Sequence, residues 1–98
     1  MRITNFLHIN QYSIETQTAV YFQSYDSTIA KISYENSAKV LTLGRDWNYS
    51  NTTLRHLYRW LYENFDGWNG RKKDVEKMIA AGKYNDKKII FINQVNFD

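Results

Sequence analysis

Trp47-Asn48-Tyr49-Ser50-Asn51-Thr52-Thr53-Leu54-Arg55-His56-Leu57-Tyr58-Arg59-Trp60-Leu61-Tyr62-Glu63-Asn64-Phe65 reads as one amphipathic helix together with its start. Ser50 suits the N-cap, because its hydroxyl can accept one of the amide protons that a first turn leaves without a carbonyl. With Ser50 as cap, Tyr49 and Leu54 take the N′ and N4 positions. That pair forms a hydrophobic staple, which sets the angle at which the chain enters the helix. Leu54, Leu57, Tyr58, Leu61 and Phe65 recur at helical spacing, so one apolar stripe is expected to be buried. Arg55, Arg59, Tyr62 and Glu63 stand on the polar side, with Trp60 next to them and away from the stripe. Asp66-Gly67 stops the segment, and the helix is predicted over residues 51–65.

Upstream of this helix the chain reads as strands. Ile3 to Ile9 places Ile3, Leu7 and Ile9 on one face. Gln11-Tyr12-Ser13-Ile14-Glu15 is polar and reads as a connection. Thr18 to Tyr25 is β-branched and aromatic, as strands prefer. Asp26-Ser27 suits a tight turn, and Thr28 to Tyr34 then alternates with Ala30, Ile32 and Tyr34 on one side. After Glu35-Asn36-Ser37, Lys39 to Leu43 is a further short strand ending at Gly44. Such short connections join only antiparallel neighbours, which predicts a three-stranded meander. One face of it must be covered, and the helix that follows directly is the cover, with Arg45-Asp46-Trp47-Asn48 as the corner between them.

Downstream, Arg71 to Ala81 reads as a second, shorter helix with Asn69 as its cap and a narrow stripe of Val75, Met78 and Ile79. Gly82 fits the left-handed position just past its end. Arg71, Lys72 and Lys73 fall in its first turn, where the helix dipole disfavours cations by up to roughly 1 kcal/mol. Lys88 to Ile92 is a last strand, placed at an edge or beside the first. The expected fold is α+β: a small, mainly antiparallel sheet covered by the helix at 51–65 and a second helix at about 71–81. The 98 residues form a single domain.

Composition limits the function. Aromatics make up 16% of the chain, a load that disordered segments do not carry. There is no Cys, so disulfide frameworks and thiolate metal sites are excluded. No apolar run approaches the roughly 18 residues of a membrane span, and the N-terminus does not read as a signal peptide. The expectation is a soluble protein of the host-cell cytoplasm, without a membrane role. Net charge is +3, and all of it falls in residues 45–98. That bias permits contact with nucleic acid or an acidic protein surface without requiring either.

Residues able to carry chemistry are few. His8 and His56 could in principle share acid–base work, but nothing in their spacing brings them together, so structural roles are expected. No His-x-x-x-His pair or EF-hand-type carboxylate set is present, and neither metal nor cofactor is expected. Ser50, Thr52 and Thr53 place three hydroxyls at a helix start, where a phosphate or carboxylate could bind. Capping is the plainer account. What is left is basic and aromatic: Arg55, Arg59, Trp60 and Tyr62, followed across the loop by Trp68, Arg71, Lys72 and Lys73. Arginine with aromatics serves single-stranded nucleic acid and protein interfaces alike. The same residues also fit solvated charges above a packed Trp60.

Phe22-Gln23-Ser24-Tyr25-Asp26-Ser27-Thr28-Ile29-Ala30 and Trp47-Asn48-Tyr49-Ser50-Asn51-Thr52-Thr53-Leu54-Arg55-His56 carry a resemblance. Over about residues 18–62 the chain resembles a group of short phage and prophage proteins of unknown function, which share a Ser-Tyr strand and a Tyr-Ser-x-Thr-Thr-x-x-His helix start. The resemblance implies a phage accessory role. By analogy of context with small phage proteins that lack catalytic motifs, it brings in anti-CRISPR and other anti-defence inhibitors. The leading expectation is therefore a non-catalytic protein that binds a host protein, a defence nuclease complex among the candidates. Arg55, Arg59, Trp60, Tyr62, Trp68, Lys72 and Lys73 are its expected contacts. The alternative is a small basic nucleic-acid-binding module using the same face. A homodimer is one way of covering the open edges of such a sheet.

Overall fold

The computed structural model describes residues 1–5 and 10–97. In chain order the strands are β1 (Arg2–Asn5), β2 (Gln11–Glu15), β3 (Ala19–Ser24), β4 (Ser27–Glu35) and β5 (Ala38–Gly44), followed by β6 (Lys83–Tyr84) and β7 (Lys87–Ile92). Two helices, α1 (Asn51–Asn64) and α2 (Lys72–Ala81), separate β5 from β6. The strands form one seven-stranded sheet in the order β1-β2-β3-β4-β5-β7-β6. From β1 to β5 each strand pairs antiparallel with the next, whereas β7 runs parallel to β5 and antiparallel to β6. A parallel neighbour cannot be reached through a tight turn, and the crossover from β5 to β7 is made by the two helices.

The α+β class and the mainly antiparallel sheet are as the sequence reading had them, with three corrections. Gln11–Glu15 is not a connection but strand β2, so the meander has five strands. Its polar residues are used: Ser13 accepts a hydrogen bond from the Trp60 indole at 3.3 Å. The last strand is interior, held between β5 and the two-residue β6. The turn after β3 is Tyr25-Asp26, one residue earlier than expected, because Ser24 and Ser27 pair across the strands. Of the strand predicted over residues 3–9, only the part up to Asn5 is seen, and Phe6, Leu7, His8 and Ile9 lie outside the described residues.

Register places the core. Ser13, Phe22, Ala30 and Leu43 lie opposite one another across β2 to β5, and Val20, Ile32, Leu41 and Ile89 form a second row. Residues of both rows pack with Leu54, Leu57, Trp60, Leu61, Val75 and Met78 from the helices. In β4 the register shifts between Phe22 and Gln23, leaving Ile29 as the extra residue of a bulge, buried against the same core. The chain after β7 returns along the end of the sheet. Gln94 O accepts from Arg45 N–H at 3.1 Å, and Val95 O accepts from Thr28 N–H at 3.0 Å. Phe97 is thereby buried beside Gly44, where a Cβ would come within 2.5 Å of its ring and 2.7 Å of the Thr28 carbonyl. Only glycine leaves room there.

Ser50 caps α1 as expected, its Oγ accepting from Thr53 N–H at 3.1 Å. The staple is not formed: Tyr49 is 76% exposed. The buried side of α1 is also wider than the predicted stripe, taking in Thr53, His56 and Trp60 as well as Leu54, Leu57 and Leu61. The wide sheet covers about half the cylinder where the sequence pattern suggested a narrow seam. For α2 the cap is Arg71 and not Asn69, and Arg71 N–H donates to Asp74 Oδ2 at 2.8 Å. That carboxylate in the first turn offsets the unfavourable placement of Lys72 and Lys73 near the positive end of the dipole. Asp66, Gly67 and Gly82 all adopt positive φ, so both predicted helix stops hold.

Candidate functional site

The expected contact residues separate into two groups. Trp60 is 0% exposed and Trp68 is 3% exposed, so neither is a surface anchor. Trp60 lies against Phe22, with ring centroids 6.0 Å apart and an interplanar angle of 26°. Trp68 lies under Tyr58 at 6.2 Å. Both were assigned to the surface because the apolar stripe was drawn too narrow. An indole that can reach a hydroxyl, as Trp60 reaches Ser13, is readily placed inside a core.

Arg55, Arg59 and Tyr62 are exposed on one face of α1, where helical spacing puts them. They line an open groove of about 480 Å³, which is completed by Tyr58, Asn69 and Arg71. The floor is Tyr58, half-buried over Trp68, and the Arg71 guanidinium sits 5.7 Å from the Tyr58 ring centroid in cation–π geometry. Burial raises the Tyr58 hydroxyl above its ordinary pKa, against the lowering effects of a hydrogen bond with the Lys72 backbone and of the nearby Arg71 charge. The hydroxyl is therefore protonated at neutral pH and can donate to a bound group. Arg59 is engaged by Glu63 at 2.7 Å, an exposed pair four residues apart whose contribution is a few tenths of a kcal/mol. A partner carboxylate or phosphate can displace it at small cost. Arg55 has no ion pair among the described residues. Lys72 and Lys73 are exposed on the first turn of α2, beside this groove but not in its lining.

Tyr58, Asn69 and Arg71 were missed as groove residues. Tyr58 had been placed in the core stripe, yet it stands three residues after Arg55 and four before Tyr62, a spacing that could have found it. Asn69 and Arg71 join only because the loop after α1 folds back over Trp68, which no local pattern announces.

His56 is buried within α1, which agrees with a structural role, and His8 lies outside the described residues. No group of three or more His, Asp or Glu among the described residues is placed to hold a metal. No helix is long and apolar enough to cross a membrane. At the start of α1, Ser50, Thr52 and Thr53 line a separate cleft together with Asp26 and Asp46 and no Lys, Arg or His. Those carboxylates repel an anion, and the phosphate reading of these hydroxyls finds no support in the side chains around them.

A family model described as a family of unknown function (DUF8033) matches residues 3–82, and the chain belongs to that family. Neither a curated protein nor a solved structure matches the chain.

Proposed function

We propose that this family member acts by binding, without chemistry of its own, and that its partner is a host protein presenting an acidic surface to the groove on α1. The supporting observation is the convergence of Arg55, Arg59 and Arg71 with Tyr58 and Tyr62 around one open depression. Arg and Tyr are the residue types that anchor protein interfaces, and three guanidinium groups select carboxylates. A phage accessory role, with a defence nuclease complex as the host partner, is the finer form of this reading and rests on the resemblance to short phage proteins alone.

Nucleic acid is the second reading, and the arginines favour it as much as they favour protein. Burial of the indoles weakens it. Without Trp60 and Trp68, and with Arg71 already over the Tyr58 ring, Tyr62 is the one groove ring left uncovered for stacking bases. The test is an affinity measurement with the purified partner, alongside gel shifts on single- and double-stranded DNA and RNA. Arg55→Glu with Arg59→Glu is expected to weaken protein binding at least about tenfold while leaving the thermal midpoint within a few degrees. Unchanged affinity in that double variant removes the groove from consideration. Binding to nucleic acid that falls steeply with salt supports the second reading instead.

A further inference from the structure

We infer that the cleft at the start of α1 is a binding site for an organic cation, an alkylammonium or guanidinium group. The cleft measures about 620 Å³ and is the meeting place of the two segments that carry the phage-protein resemblance, one around Ser24-Tyr25 and the other around Tyr49-Ser50. It shares no residue with the basic groove, so it stands or falls separately from the binding role proposed above.

Its floor is made by the buried side chains of Ser24, Ile29 and Thr53. Two tyrosines, Tyr25 and Tyr49, line it while remaining 60% and 76% exposed. The fold makes little use of either ring. Tyr49 occupies the staple position without packing, and Tyr25 sits at φ +52 in a turn that Asn or Gly would fill more easily. The Tyr25 backbone is nevertheless pinned there, its N–H donating to Asn10 O at 2.7 Å and its carbonyl accepting from Gln23 Nε2 at 2.8 Å. Two aromatic rings held at the mouth of a cleft present negative π faces, which attract cations.

The polar lining has the same preference. Asp26 forms no ion pair among the described residues. Asp46 accepts from Ser27 Oγ at 3.0 Å, and its nearest cation is the half-exposed Arg45, at 3.9 Å. Two carboxylates carry more charge than the roughly half unit of the helix start, whose Thr53 N–H is in any case capped by Ser50. One strand further in, Gln11 pairs in register with Ser24, is 1% exposed, and has no hydrogen-bond partner for Oε1 among the described residues. Acceptors are in excess at this end of the sheet, and the complementary ligand is a donor with positive charge.

The cation can be a free amine or the side chain of a partner's Lys or Arg, and one titration separates them. The full chain, labelled with ¹⁵N, is titrated with butylammonium and agmatine as free cations, and with N-acetyl-lysine amide and N-acetyl-arginine amide as side-chain mimics. N-acetyl-glutamate amide is the control. Saturable shifts of the Tyr25–Ser27 and Tyr49–Thr53 amides are expected with cations alone. Tighter binding of the free amines points to a small molecule, and tighter binding of the mimics points to a protein side chain. Asp26→Asn and Tyr49→Ala, both exposed and unlikely to unfold the chain, should each weaken binding about two- to fivefold, and together about tenfold. The inference is overturned if no cation gives a saturable shift at these amides, if the acidic control shifts them equally, or if the double variant binds as the parent does.

Discussion

Trp60→Ala separates a core residue from a surface anchor, and the structure sets its size. The indole is fully buried, lies against Phe22 at 6.0 Å, and donates to Ser13 Oγ at 3.3 Å. Truncating a buried Trp to Ala costs about 3–5 kcal/mol through lost transfer energy and the cavity left behind. The orphaned Ser13 hydroxyl adds little, since β2 is only half-buried and water can reach it. A domain of 98 residues has roughly 5–15 kcal/mol in total, so the variant should fold marginally or not at all. With a urea dependence of about 1.5 kcal/mol per M, the midpoint should fall by about 2–3 M. The thermal midpoint should fall by roughly 12–40 °C. The assay is urea unfolding followed by far-ultraviolet circular dichroism and by fluorescence of Trp47 and Trp68, both buried and both expected to shift to the red on unfolding. A midpoint within about 0.5 M of the parent, less than about 1 kcal/mol, would refute the packing described and return Trp60 to the surface.

Three further outcomes are expected. Ser50→Ala removes the acceptor of Thr53 N–H and should cost about 1 kcal/mol, read as a lower urea midpoint with unchanged slope; Ser50→Gly should cost only a few tenths. Gly44→Ala forces a methyl against the Phe97 ring and the Thr28 carbonyl, and because a backbone atom cannot swing aside it should destabilise by about 1–3 kcal/mol. Hydrogen bonds from Lys39, first, and Lys87 hold the Asp66 carboxyl below its ordinary pKa. A carboxyl lowered in the folded state adds stability that is present above its unfolded pKa, near 3.8, and is lost as pH falls through the folded value. Asp66→Asn, which tolerates the φ of +53 at this position, should therefore flatten the acid limb of a stability–pH profile below about pH 4 and leave its shape from pH 5 to 8 unchanged.

Local chemistry made much of this molecule legible in advance. Ser50 as a cap, the stops at Asp66-Gly67 and Gly82, and the strands from Thr18 to Gly44 depend on neighbours within a few residues, and a sequence displays those directly. The arginine face of α1 was legible for the same reason, since Arg55, Arg59 and Tyr62 recur at helical spacing on one side of a cylinder. Gln11–Glu15 escaped because a strand whose polar side chains are used in place carries no alternation to read.

Residue order alone determined which stretches are helix, which are strand, and which side of α1 carries charge, because each follows from backbone geometry and side-chain spacing along the chain. Tertiary structure alone decided that Trp60 and Trp68 lie inside, that β7 joins β5, and that Arg71 closes the groove with α1. The cleft between the β3–β4 turn and the start of α1 belongs with these. Each depends on how much of the cylinder a seven-stranded sheet covers and on which segments far apart in the chain its twist brings together.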